Sequence, residues 1–138
     1  IARRAAKPPA VLPETKVRVL LLDDDRGFAD VMEKMLGFAG YSVRTATDRE
    51  SGSRELRAVP QPHLILLDVE LGEVDGFDVL ARLRRHPRLG AVPVIMLTGR
   101  TSRQDVARGL LRGADGYVSK PCRLFALNHA IRTVLGMA

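Results

Sequence analysis

Cysteine is nearly missing from this chain. The single thiol, Cys122, has no partner for an internal disulfide and fits a reducing compartment. Long apolar runs are missing too: none approaches the roughly 20 residues that a membrane-spanning helix needs. The basic start runs into Pro8, Pro9 and Pro13 and not into an apolar segment, so no signal peptide is read there. The expectation is a cytoplasmic chain without a membrane span. Aromatic residues make up only 4%, and none interleave the arginines as a single-strand nucleic-acid binder would require. The formal charge of +6 is therefore read as a basic soluble surface, with direct nucleic-acid binding not expected.

What is present suffices for one domain with a sizeable core: 138 residues, 46% of them hydrophobic. Residues 1–15 have three prolines and no usable periodicity, and read as a basic, Pro-rich linker or arm; residues 16–138 form the domain. The start at Ile1 in place of Met suggests a fragment, a processed start or an engineered boundary.

Five apolar runs alternate with helical patterns. Val17–Leu22 ends in Asp23, Asp24 and Asp25. A helix over Arg26–Phe38 follows, with Phe28, Val31, Met32, Met35 and Phe38 at helical spacing, closed by Gly40. Tyr41–Ala46 alternates as an edge strand, and Thr47 or Asp48 caps a poor helix through Arg57. Leu64–Leu67 is too short for a helix and reads as a strand buried on both faces, ending at Asp68. Phe77–His86 turns Phe77, Leu80 and Leu83 inward and Arg82, Arg84 and Arg85 outward. Val92–Leu97 ends at Thr98, and Ser102 with Asp105 makes a capping box for a helix through Arg112, with Ala107, Leu110 and Leu111 inward. Gly116–Ser119 is a short strand before Lys120 and Pro121, and a helix over about Arg123–Leu135 buries Leu124, Leu127, Ile131 and Val134 or Leu135.

Such alternation predicts an α/β fold, a doubly wound parallel sheet of (βα)5, flavodoxin-like type with strand order 2-1-3-4-5. In that order ligands bind outside the strand ends, between the first and third strands. Asp23, Asp24 and Asp68 end those two strands, with Thr98 and Lys120 ending the fourth and fifth. Carboxylates so gathered repel and raise one another's pKa, which a divalent cation relieves. An all-oxygen, partly hydrated set suits Mg²⁺, with Mn²⁺ also fitting. A carboxylate can attack phosphorus to give an acyl phosphate. The metal would take one equatorial oxygen, Lys120 a second, and the Thr98 hydroxyl or nearby N–H groups the third. Asp68, central in the strand order, is the nucleophile on this reading.

These residues, in this order on the strand ends, resemble a response-regulator receiver domain, the phosphoacceptor of two-component signalling, from residue 17 to about 136. The carriers are Asp23-Asp24 after Val-Leu-Leu-Leu, Asp68 eight residues before Gly76, Thr98 after Val-Ile-Met-Leu, and Lys120-Pro121 three residues after Tyr117. The resemblance implies that Asp68 takes a phosphoryl group from a histidine kinase, a phosphotransfer protein or a small donor. It implies Mg²⁺ held by Asp24, Asp68 and the Glu70 backbone carbonyl, with Asp23 contacting through water. Thr98 and Tyr117 would form a switch pair, and Lys120–Pro121 would be cis. Glu70 and Arg100, two residues past Asp68 and Thr98, would tune phosphoryl lifetime and are expected to pair across the mouth. The output face would be the fourth helix, fifth strand and fifth helix, where Phe125, His129 and Arg132 lie at helical spacing for a partner or a second copy. Such a protein is a switch and not a turnover enzyme, with at most slow phosphorylation from small donors and slow self-dephosphorylation. Whether it stands alone or belongs to a hybrid kinase or multidomain regulator is left open.

Two departures stand out: Gly72 occupies a position where receivers commonly carry proline, and Cys122 follows Lys-Pro where an aromatic is common. A competing assignment is a haloacid-dehalogenase-like phosphatase with Asp23 as nucleophile and Asp25 as general acid. Against it, no Gly-Thr/Val turn follows Asp25, no late acidic pair supplies metal ligands, and Asp68 would be idle.

Overall fold

A run of four apolar side chains is what a strand covered on both faces requires. β3 (Leu64–Leu67) is that strand, and all four of its residues are buried. The computed structural model describes residues 1–11 and 15–137; part of the expected arm, residues 12–14, lies outside the described residues. Around β3 run β1 (Arg18–Leu22), β2 (Ser42–Ala46), β6 (Val94–Thr98) and β7 (Gly116–Ser119), all parallel, in the order β2-β1-β3-β6-β7. Counting sheet strands alone, this is the expected 2-1-3-4-5. β4 (Glu70–Leu71) and β5 (Val74–Asp75) form a separate antiparallel hairpin that the sequence patterns did not disclose.

Alternate strand residues feed two cores. Val19, Leu21, Leu64, Leu66, Ile95 and Leu97 pack under α1 (Arg26–Phe38) and α5 (Leu124–Val134). Leu20, Leu22, Ile65, Leu67, Val94 and Met96 pack on the opposite face under α3 (Gly76–Arg85), through Phe77, Leu80 and Leu83. α2 (Arg49–Arg57) buries no residue and is held by a capping box between Asp48 and Ser51 and by the Arg44–Glu55 ion pair. α4 (Arg103–Leu111) is capped by Ser102, as expected. Among the described residues no helix is long and apolar enough to cross a membrane.

Three side-chain expectations are corrected. In α1 the buried residues are Ala29, Met32 and Leu36, while Phe38 is 91% exposed and Val31 is exposed. Seven apolar positions in that helix fit more than one stripe, and packing against α5 selects the phase that includes Ala29 and Leu36. In α4 the buried residue is Gly109, and Leu111 is 88% exposed and Ala107 exposed. A Cβ at Gly109 would lie 3.1 Å from two Tyr117 ring atoms, so α4 approaches the sheet through its glycine and its leucine faces away.

The third correction is Arg84, which points inward. Its guanidinium donates to the carbonyls of Gly113 (2.7 Å from Nη2), Val92 (2.6 Å) and Gly90 (3.3 Å) and to Asp115 Oδ2 (2.9 Å). The same Asp115 oxygen accepts the Val94 N–H at 3.0 Å, so this cluster pins the start of β6 to the turn before β7. Burial pulls the Arg84 pKa down, opposed by the Asp115 carboxylate. Replacing it with Met takes the guanidinium from three carbonyls and from Asp115, which keeps the Val94 N–H. Urea denaturation of Arg84→Met is expected to show a loss of about 3 kcal/mol; an unchanged midpoint would contradict this role.

Candidate functional site

Parallel register brings the acids together. Leu22 pairs with Leu67, so Asp23 and Asp68 leave the sheet side by side. Asp68 N–H donates to the Leu22 carbonyl at 3.1 Å, and Asp23 N–H to the Ala46 carbonyl at 3.1 Å, carrying the ladder one residue beyond each strand. Thr98 pairs with Ser119, and Lys120 N–H donates to the Thr98 carbonyl at 2.9 Å. The ends of β1, β3 and β7, the last two separated by β6, thus deliver Asp23, Asp68 and Lys120 to one spot.

Asp23 is 1% exposed and Asp68 5% exposed. Buried carboxylates of this kind need a charged partner. Lys120 Nζ supplies it, donating to Asp23 Oδ2 at 2.7 Å and to Asp68 Oδ2 at 2.8 Å. The second oxygens are held by backbone: Asp25 N–H donates to Asp23 Oδ1 at 3.0 Å and Glu70 N–H to Asp68 Oδ1 at 3.1 Å. Burial pushes the Asp23 pKa up, only partly offset by Lys120 and the Asp25 N–H. Burial pulls the Lys120 pKa down, but hydrogen bonds to the two carboxylates outweigh it and the net direction is up. The ammonium also sits 4.0 Å from the centre of the Phe28 ring, a cation–π contact. In the sequence Phe28 belongs to an apolar stripe, and nothing in its spacing marks a role at the site.

Asp24 is exposed and does not join the lysine. It leans toward the β4–β5 hairpin, its Oδ2 3.6 Å from where a Cβ at Gly72 would be. Gly72 has φ +65°, a left-handed conformation closed to proline. Gly76 is demanded by the same loop: a Cβ there would lie 2.0 Å from the Asp68 carbonyl oxygen. Asp25 caps α1 by accepting the Phe28 N–H at 3.0 Å.

No three His, Cys, Asp or Glu side chains among the described residues form a group able to hold a metal ion by themselves. Mg²⁺ asks for less: one or two carboxylates, with waters and phosphate oxygens completing its shell. The oxygens of Asp24, Asp68 and the Glu70 carbonyl are hard donors of the required kind, so the donor chemistry fits.

Thr98 is fully buried, and its Oγ1 accepts the Arg100 N–H at 3.2 Å. Tyr117 is buried, with its hydroxyl donating to the Arg100 carbonyl and its ring inward. Burial raises its pKa to about 12. Lys120–Pro121 is cis. The expected pairing of Glu70 with Arg100 is not formed. Arg100 turns instead to Asp105 at the start of α4, with nitrogen–oxygen distances of 3.3 and 3.1 Å. Asp105, five residues on, is also held by the Ser102 hydroxyl at 2.8 Å. On α5, Phe125 is 83% exposed and His129 exposed, as expected of a contact face, whereas Arg132 is half-buried.

Comparison with known proteins agrees with this geometry. Residues 19–132 match the family described as the response regulator receiver domain. The "DNA-binding dual master transcriptional regulator RpaA" of Synechocystis is 41% identical over 118 residues, covering 86% of this chain and 48% of that protein. The chain thus spans about half the length of the curated relatives it matches. Among solved structures, a response regulator from Chloroflexus aurantiacus superposes with a TM-score of 0.80 at 30% identity, covering 88% of this chain and 99% of that one. A response regulator from Burkholderia pseudomallei, crystallised with a phosphorylated aspartic acid, a calcium ion and citrate, gives 0.75 at 26% identity, covering 86% of this chain and 68% of that one. The chain belongs to the response regulator receiver domain family.

Proposed function

We propose that Asp68 is the phosphoacceptor and that a histidine kinase or phosphotransfer protein is its donor. One observation carries this reading: Lys120 Nζ joins Asp68 to Asp23 at 2.8 and 2.7 Å at the mouth of the sheet. The lysine holds one oxygen of the Asp68 carboxylate in place at the mouth, which suits attack of an Asp68 oxygen on phosphorus as the bond to the donor breaks. As the acyl phosphate forms, Asp68 surrenders its charge, and the ammonium is free to bond a phosphoryl oxygen. Thr98, two residues from Arg100 on the next strand end, is the hydroxyl assigned to a further phosphoryl oxygen. Asp24, Asp68 and the Glu70 carbonyl would hold Mg²⁺, with Asp23 contacting through water. Bound there, the cation would neutralise charge on the phosphoryl group. The Burkholderia relative's phosphorylated aspartic acid and calcium ion support the same chemistry here.

The consequence of phosphorylation would pass through Thr98 and Tyr117 to α4, β7 and α5, where Phe125, His129 and Arg132 would meet a partner or a second copy. Direct contact of this domain with nucleic acid is not part of the proposal, although the Synechocystis relative is named as DNA-binding.

Incubation with acetyl phosphate and Mg²⁺ is expected to add one phosphoryl mass to the chain. Asp68→Asn should abolish the shift, Asp23→Asn should retain a reduced one, and Lys120→Ala should slow it on the order of 100-fold. A shift that survives Asp68→Asn but disappears in Asp23→Asn would reverse the assignment in favour of the phosphatase class.

Glu70 and Arg100 are proposed to tune phosphoryl lifetime independently of each other, because Arg100 is engaged by Asp105. A double-mutant cycle on dephosphorylation rate is expected to give coupling near zero for Glu70 with Arg100 and measurable coupling for Arg100 with Asp105. Substantial Glu70–Arg100 coupling would restore the pairing expected from the sequence.

A further inference from the structure

β7 is the last strand of the sheet, and its outer edge would offer open backbone groups of the kind folded proteins must cover. Here that edge is occupied by the start of the same chain. Ala2 forms an antiparallel bridge with Gly116, Arg3 N–H donates to the Asp115 carbonyl at 2.9 Å, and Tyr117 N–H donates to the Ile1 carbonyl at 2.7 Å. The segment then crosses to α5, where Ala5 N–H donates to the Val134 carbonyl at 2.9 Å and the Ala5 side chain is buried with Val134 and Leu135. Toward α4, the Arg3 guanidinium donates to the carbonyls of Ala114 at 3.0 Å and Leu110 at 3.4 Å.

Two glycines leave room for this path. A Cβ on Gly116 would lie 3.1 Å from the Ile1 carbonyl oxygen, and one on Gly136 would lie 2.8 Å from Arg4 Nε. The track is thus made of an open strand edge, an apolar seat for Ala5 and two positions without side chains. It ends at Tyr117, whose ring rests against Gly109 and whose hydroxyl reaches the Arg100 carbonyl, two residues past Thr98.

We propose that the β7 edge is a docking site for the chain's own residues Ile1–Ala5, and that the docked segment holds Tyr117 in its inward position, so that docking and phosphorylation of Asp68 favour one another. The docking half stands on the contacts above; the coupling half rests on the function proposed for Asp68. If the segment grips the inward state more tightly than the outward one, linkage requires the phosphorylated state to grip the segment more tightly in return.

The test uses the full chain and two variants. Ala5→Asp would bury a carboxylate and expel the segment, and Arg3→Pro removes the N–H that bonds Asp115 while leaving the domain body unchanged. Amide exchange at Tyr117 and Ala5 is measured with and without Mg²⁺ and beryllofluoride, and the rate of phosphorylation by acetyl phosphate is followed by mass. Both variants should exchange the Tyr117 amide faster and accept phosphate on the order of 5-fold more slowly, while beryllofluoride should slow exchange at Ala5 and Tyr117 in the parent. Unchanged Tyr117 exchange in both variants overturns docking. Faster exchange with phosphorylation equal to the parent's, or quicker, overturns the coupling. A parent that gains no phosphoryl mass refutes the phosphoacceptor reading and the coupling together, and Tyr117 exchange still decides docking.

Discussion

One lysine ammonium shared between two buried carboxylates is the interaction on which the rest of this site depends. Asp23 and Asp68 are neighbours because β1 and β3 are in register, and neighbouring buried anions would repel strongly without a cation. Lys120 reaches both from β7, two strands away from β3, and the Phe28 ring supports it from α1. The sheet, the first turn of α1 and the turn after β7 must therefore all be in place before the charges balance.

On the function proposed for Asp68, the same interaction leaves the site ready for change. A pair of hydrogen bonds to carboxylates can be exchanged for bonds to a newly attached phosphoryl group, because both are charge-assisted contacts of similar kind. Tyr117 and Arg100 lie on the path away from that exchange, with Arg100 contributing its carbonyl to Tyr117, its N–H to Thr98 and its side chain to Asp105 on α4. A shift of Thr98 would thus be felt at α4 through one residue.

The sheet order and the ends of most elements were readable because buried parallel strands have an unmistakable composition. Leu64–Leu67 and Gly116–Ser119 appear with the bounds expected, and the Arg26–Phe38 helix also agrees, its start marked by the Asp25 cap. The convergence of Asp68 with Asp23 and Lys120 was likewise visible, since strand ends in a doubly wound sheet share one crevice. What was hidden depends on packing and not on pattern. The two-residue strands of the β4–β5 hairpin are too short to show alternation, and α1 holds enough apolar residues for several possible faces. Arg84 sits among two other arginines, and its inward turn is dictated by the carbonyls of Gly90, Val92 and Gly113, which only the folded chain assembles. The choice of Asp105 over Glu70 by Arg100 was equally invisible, because the Ser102–Asp105 spacing marks a cap and carries no sign of a second partner.

The central claim is that Asp68 reacts and that Lys120 follows the new charge. A crystal structure of the chain with Mg²⁺ and beryllofluoride, a phosphoryl mimic, tests it most directly. The account predicts the fluoride group bonded to an Asp68 carboxylate oxygen, with Lys120 Nζ within hydrogen-bond distance of a fluorine. A fluoride group on Asp23, or one on Asp68 with Lys120 turned away from it, would contradict the account.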